Sequence, residues 1–84
     1  MAGRLKDKIC IITGTGGSMG RVAAKMFAAE GALVVGCDIA AQSAARTLDE
    51  VIANGGKMVS LHPCDLSTAA GARMVIDLAM DTYG

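Results

Sequence analysis

The sequence predicts an α/β fold: three parallel strands alternating with three helices, β-α-β-α-β-α, in the spatial order 3-2-1 of half a doubly wound sheet. Three observations predict it. Short runs that are apolar at every position, Ile9 to Ile12 and Ala32 to Val35, suit strands covered on both faces. Each run leads into a stretch with helical spacing. Between the first run and its helix lies a glycine-rich segment from Gly14 to Gly20.

The elements follow in order. Ile9 to Ile12 is a β-branched strand that stops at Thr13-Gly14. Arg21 to Glu30 is a helix with Val22, Met26 and Ala29 on one face, Ala23 and Phe27 beside them, and Arg21 and Lys25 one turn apart. Gly31 supplies its left-handed C-terminal cap. The second strand ends at Cys37-Asp38. A second helix from about Ala41 to Ala53 points Leu48, Val51 and Ile52 inward and ends at Asn54-Gly55-Gly56. Lys57 to Leu61 is a third strand, stopped by His62-Pro63 because proline cannot donate to the ladder. Ser67 caps a third helix whose apolar face is Met74, Val75, Leu78 and Ala79, and Gly71 costs that helix about 1 kcal/mol relative to alanine.

Composition narrows the function. Lys plus Arg number 8, Asp plus Glu 8, and the formal charge is zero, a balance that argues against an electrostatic binder of nucleic acid or an anionic membrane. Apolar residues make up 52%, enough for a packed core, while aromatics at 2% disfavour base-stacking platforms. Eighty-four residues are roughly 0.6 of an average domain. A chain this short buries only about 60–65% of its unfolded surface, so its stability as an isolated unit is doubtful. Cys10, Cys37 and Cys64 are spaced one β-α period apart, which suggests packed thiols and neither a disulfide framework nor a zinc site. Met1 to Lys8 has no apolar core of a leader, and no apolar run is long enough to span a bilayer, so a cytoplasmic protein is expected.

The strongest chemical signal is Thr13-Gly14-Thr15-Gly16-Gly17-Ser18-Met19-Gly20, set between a strand and a helix. A glycine at the strand end permits the tight turn. Small residues then let the backbone approach a pyrophosphate, and Gly20 lets the helix pack closely on the sheet. The helix N-terminus offers free N–H groups and partial positive charge. Asp38 stands at the end of the second strand, 24 residues after Gly14, where a carboxylate can accept both adenosine-ribose hydroxyls. Its alternative role is to begin a turn or cap the next helix. No Lys or Arg occurs at 37, 39 or 40 or within the loop to neutralise a 2′-phosphate, and the carboxylate would repel one, which favours NAD over NADP. After the third strand, Asp65 can hydrogen-bond an adenine amino group with Leu66 against the ring. Capping by Asp65 or Ser67 explains the same residues equally well.

Together these residues resemble one family, the short-chain dehydrogenase/reductases, over essentially the whole chain from Arg4 to Gly84. Thr13, Gly14 and Gly20 match its T-G-x-x-x-G-x-G loop. Asp38 stands where its NAD-preferring members have an acid, and Asp65 where the family has an aspartate. Ser18 departs from the pattern by replacing the middle glycine; its hydroxymethyl could crowd the pyrophosphate or donate a hydrogen bond to it. The resemblance implies that residues 1–84 are the N-terminal part of a single Rossmann-type NAD(P)-binding domain with no internal boundary. Gly14, Gly17, Ser18 and Met19 would then hold the pyrophosphate, with Gly20 completing the cofactor-binding loop by its close packing, Asp38 and Ile39 the ribose, and Asp65 and Leu66 the adenine. It further implies an NAD-dependent oxidoreductase exchanging hydride with a small alcohol or carbonyl, commonly a homo-oligomer. The family's fourth strand, catalytic Ser and Tyr-x-x-x-Lys pair are not among these residues. Tyr83-Gly84 fits instead the aromatic-glycine pair that closes the helix before that strand. The chain is expected to be the first third of such an enzyme, inactive alone, with the outer edge of the Ile9–Ile12 strand bare.

Rival readings are weaker on residues. A P-loop beginning at Gly14 needs glycine where Met19 stands, followed by Lys-Ser or Lys-Thr. A methyltransferase loop fits Ile11-Ile12-Thr13 and Gly20 less well. A truncated, non-catalytic nucleotide-binding or assembly module is the serious alternative. His62, the only histidine, lacks a partner Ser, Cys or metal set and reads as non-catalytic.

Overall fold

A computed structural model describes residues 3–84; the start at Met1 and Ala2, from which the lack of a leader is partly read, lies outside the described residues. The elements run β1 (Ile9–Thr13), α1 (Ser18–Ala29), β2 (Leu33–Cys37), α2 (Ala41–Ala53), β3 (Lys57–Leu61) and α3 (Ala69–Tyr83). The three strands form one parallel sheet in the order β1-β2-β3, as the crossover rule predicts. Their register places Ile9 beside Leu33 and Leu33 beside Lys57, and the far ends Thr13, Cys37 and Leu61 are level. Every strand therefore delivers its following loop to the same edge of the sheet.

Alternation along β2 divides the core. Val34 faces α1 and α2 in a cluster with Ile12, Ala24, Ala28, Val51 and Met58, while Val35 and Cys37 face α3 with Cys64, Val75 and Ala79. Only β2 is apolar-covered on both faces throughout. In β1, Ile12 is buried but Ile9 and Ile11 are 44% and 45% exposed, which corrects the expectation of a strand covered on both sides. Ile11 pairs with Val35 and lies with Ile9 on the face that α3 covers, yet no residue of β1 belongs to the cluster beneath that helix.

Helix orientation also corrects the sequence reading. In α1 the buried residues are Ala24 and Ala28, whereas Val22, Met26 and Phe27 face outward. Periodicity identified a large apolar stripe, but the sheet takes the neighbouring stripe of methyls because α1 lies too close for larger side chains. In α2 the inward line is Ala44, Thr47 and Val51; Leu48 is half-buried and Ile52 exposed. In α3, Val75 and Ala79 are buried with Gly71, Leu78 packs against them, and Met74 is exposed. Gly71 is a packing requirement more than a cost to the helix: a Cβ there would collide with the Asp65 carbonyl. The third helix is capped by Thr68, whose Oγ1 accepts from the Gly71 N–H at 3.0 Å, and not by Ser67. Gly31 has φ +93°, the left-handed cap expected. Tyr83 ends α3 packed on the second cluster, and burial pushes its phenol up from the ordinary value.

Candidate functional site

The level strand ends at Thr13, Cys37 and Leu61 bring three loops to one edge of the sheet, the edge where open α/β sheets bind ligands. The first is the glycine loop. Gly14, at φ +70°, turns the chain out of β1, and the Gly14 and Thr15 N–H groups both donate to the Cys37 carbonyl at 2.8 and 3.3 Å. The Gly17 N–H donates back to the Gly14 carbonyl at 3.0 Å. That carbonyl lies so close to α1 that a Cβ on Gly20 would overlap it, which accounts for glycine at 20.

Gly17 is the N-terminal cap of α1 and carries no side-chain capping bond. No acidic residue lies in the first turn of α1. Ser18 and Met19 are exposed there, and the Ser18 Oγ makes no hydrogen bond among the described residues. The N–H groups of that turn, with the positive end of the helix dipole, are thus presented outward and suit an anion. Open space around Gly14 lets a ligand reach the backbone.

The second loop follows β2. Asp38 is half-buried, and its two oxygens are held by backbone donors on opposite sides. Oδ2 accepts the Gly16 N–H at 2.6 Å, and Oδ1 accepts the Ala40 N–H at 3.0 Å. The turn-forming role is therefore real, and the bond to Gly16 adds a direct tie to the glycine loop. A carboxylate offers about four acceptor positions, so two remain for hydroxyl donors. Gly16, not singled out in the sequence, is essential to this arrangement: a Cβ there would lie 2.7 Å from Asp38 Oδ2 and 2.9 Å from the Ser43 Cβ. Ile39, next to Asp38, is 65% exposed.

The third loop follows β3 and is tied to the second through Cys64, whose N–H donates to the Asp38 carbonyl at 2.9 Å. Asp65 forms a local turn, its Oδ1 accepting from the Ser67 N–H at 2.9 Å and the Ser67 hydroxyl at 2.6 Å. Those two donors hold the Asp65 carboxyl below the usual range. Oδ2 has no hydrogen-bond partner among the described residues, and Leu66 is partly exposed beside it.

Two expectations change here. His62 does have a serine partner, since its Nδ1 lies 2.7 Å from the Ser60 Oγ, although among the described residues no acid is hydrogen-bonded to the pair. Sequence reasoning also missed Thr15 and Thr47, both fully buried, and Gly36, where a Cβ would meet the Thr15 methyl and the Met58 Cε. The signal at Thr47 is weak because threonine on a helix face reads as β-branched filler. Cys37 is buried, which together with nearby Cys64 and Asp38 raises its thiol above the ordinary value.

A family model described as short chain dehydrogenase matches residues 8–84. Cyclohexanol dehydrogenase of Acinetobacter is 29% identical over 84 residues, covering all of this chain and 33% of that protein. The 7alpha-hydroxysteroid dehydrogenase of Escherichia coli is 36% identical over 81 residues, covering 96% of this chain and 31% of that protein. A solved citronellol catabolism dehydrogenase from Pseudomonas aeruginosa superposes with a TM-score of 0.92 at 26% identity, over 100% of this chain and 35% of that one. A 7α-hydroxysteroid dehydrogenase solved with NADH and 7-oxo glycochenodeoxycholic acid superposes at 0.91 with 36% identity, over 96% of this chain and 31% of that one. The chain spans about a third of the length of the curated relatives it matches.

Proposed function

The chain belongs to the short-chain dehydrogenase family, and from that premise we propose that it supplies the adenosine-diphosphate half-site of an NAD-dependent alcohol/carbonyl oxidoreductase. The observation that carries the reading is the pairing of an uncapped helix N-terminus behind Gly14–Gly17 with a carboxylate fixed across the loop at Gly16. The N–H groups of Ser18 and Met19, with the Ser18 hydroxyl, are suited to a pyrophosphate, and Gly14, Gly17 and Gly20 let the backbone reach it. Asp38 would take the ribose hydroxyls with Ile39 alongside. Asp65 Oδ2 would take the adenine amino group with Leu66 against the ring.

The dinucleotide, when bound, supplies hydride exchange at its nicotinamide. These residues contribute binding and orientation. Proton transfer in the family is the work of a Ser and a Tyr-x-x-x-Lys pair, and residues 1–84 contain no Tyr-x-x-x-Lys. An NAD preference is supported by the Asp38 carboxylate and by the lack of a cation at 37, 39 or 40. We place the parent protein in the cytoplasm as a homo-oligomer acting on a small alcohol or carbonyl, without nucleic-acid or membrane partners. Among the described residues no helix is long and apolar enough to cross a membrane.

The test is titration of the full natural chain with NAD, NADP and ADP-ribose, with Asp38→Ala alongside and turnover of a panel of secondary alcohols. Removing the carboxylate should weaken NAD by about tenfold or more, the worth of hydrogen bonds to a charged group, and narrow discrimination against NADP. Unchanged affinity and preference in Asp38→Ala would refute the ribose assignment. Nucleotide binding without any turnover would leave the non-catalytic binding module as the better description.

A further inference from the structure

A buried threonine of α2, Thr47, meets a buried threonine of the glycine loop, Thr15. The Thr47 hydroxyl, on the inward line of α2, donates to the Thr15 carbonyl at 2.6 Å and lies 3.3 Å from the Ser43 carbonyl. It accepts in turn from the Arg21 Nε at 3.1 Å, and Arg21 and Lys25 of α1 converge on Glu50 of α2 at 3.9 and 3.1 Å. Thr15 and Thr47 have no measurable exposure. Neither would be buried for its methyl alone when valine fills the same space without a polar atom.

The carbonyl held by Thr47 belongs to the same peptide unit as the Gly16 N–H. That peptide is trans, so its oxygen and its N–H point in opposite directions. One end is held by Thr47, and the other end donates to Asp38 Oδ2 at 2.6 Å. Donors and acceptors are aligned in one sense from the Arg21 guanidinium through the Thr47 hydroxyl and the 15–16 peptide to the carboxylate, an arrangement in which each bond polarises the next.

Resting on the reading that Asp38 recognises the ribose, we propose that Thr47 is a positioning residue for nucleotide discrimination: by fixing the 15–16 peptide it holds the Asp38 carboxylate at the ribose position. Without the Thr47 hydroxyl, that peptide can rotate and turn its oxygen toward Asp38, which would displace the carboxylate. NAD then loses its hydroxyl partner, and NADP loses the charge that opposes its 2′-phosphate.

The experiment measures NAD and NADP affinities of the full natural chain for wild type, Thr47→Val, Thr47→Ser, Asp38→Ala and the Asp38→Ala/Thr47→Val pair. Thr47→Val should lower the preference for NAD over NADP by about tenfold. Thr47→Ser, which keeps the hydroxyl, should restore it. In the Asp38→Ala background Thr47→Val should change the preference by less than about twofold, because the two act as a unit. Arg21→Met, which strips the relay from its half-exposed end, carries the same test if Thr47→Val does not fold and should shift the preference in the same direction. A purely structural threonine would lower thermal stability and leave the preference unmoved, and that result overturns the inference. So does a preference change that persists in full without Asp38. Failure of the wild-type chain to bind either nucleotide would instead overturn the proposed function, and the inference with it.

Discussion

Replacing Gly20 by alanine tests the closeness of α1 to the loop. The added Cβ would overlap the Gly14 carbonyl oxygen and lie 2.6 Å from the Gly14 carbonyl carbon and 3.0 Å from the Thr15 Cα. All three are backbone atoms, and they cannot yield easily. The Gly14 and Thr15 N–H groups are anchored on the Cys37 carbonyl at 2.8 and 3.3 Å, and Gly14 already sits at φ +70°. Relief therefore requires α1 to move away from the sheet, opening the contacts of Ala24 and Ala28. Forcing a methyl into a packed site costs about 1–3 kcal/mol, and unyielding backbone puts Gly20→Ala near the top of that range. Gly55→Ala is the control: nothing lies within 4 Å of its Cβ, but φ is +84°, so left-handed strain of about 1 kcal/mol is the whole effect. Urea unfolding of the full natural chain, followed by circular dichroism, gives both values, and NAD titration of the folded variants reports the loop. A Gly20→Ala variant no less stable than Gly55→Ala, and binding NAD like wild type, would refute the close-approach reasoning.

Other outcomes follow from the same geometry. Val34→Ala, in the fully buried middle of β2, should destabilise by about 2 kcal/mol in the same urea assay, from lost burial plus a cavity. The Asp65 carboxyl is held below its ordinary value of 3.8 by Ser67, so the stability this contact contributes is present above that value and is lost as pH falls through the lower folded one. Ser67→Ala removes the hydroxyl but keeps the backbone N–H, so it should raise the carboxyl part of the way toward the ordinary range in a carbon-detected NMR titration; an unshifted titration would break the assignment. Buried Cys37, with its thiol raised, should resist iodoacetamide in the native protein and react only on unfolding, as peptide mass analysis would show.

Fold class, element order and the parallel 3-2-1 sheet were legible because they depend on local pattern: apolar runs broken by glycine and proline, and a crossover hand common to all L-chains. Lys57–Leu61 was placed to the residue, stopped by His62-Pro63. Gly14, Gly20, Asp38 and Asp65 announced themselves by type and spacing. Which face each helix buries did not. Val22, Met26 and Phe27 carry more apolar surface than Ala24 and Ala28, yet the alanines dock, because the Gly14–Gly20 approach leaves room only for methyls. Nor did the sequence reveal what the polar atoms do. Thr68 and not Ser67 caps α3, Ser60 reaches His62, and Thr47 meets Thr15 from 32 residues away. Sequence determines what lies within a turn or a strand of a residue, where bonded geometry sets the distances. A partner on another element is chosen only when packing brings the two together, so the tie from Arg21 through Thr47 and the 15–16 peptide to Asp38 exists only in the folded chain.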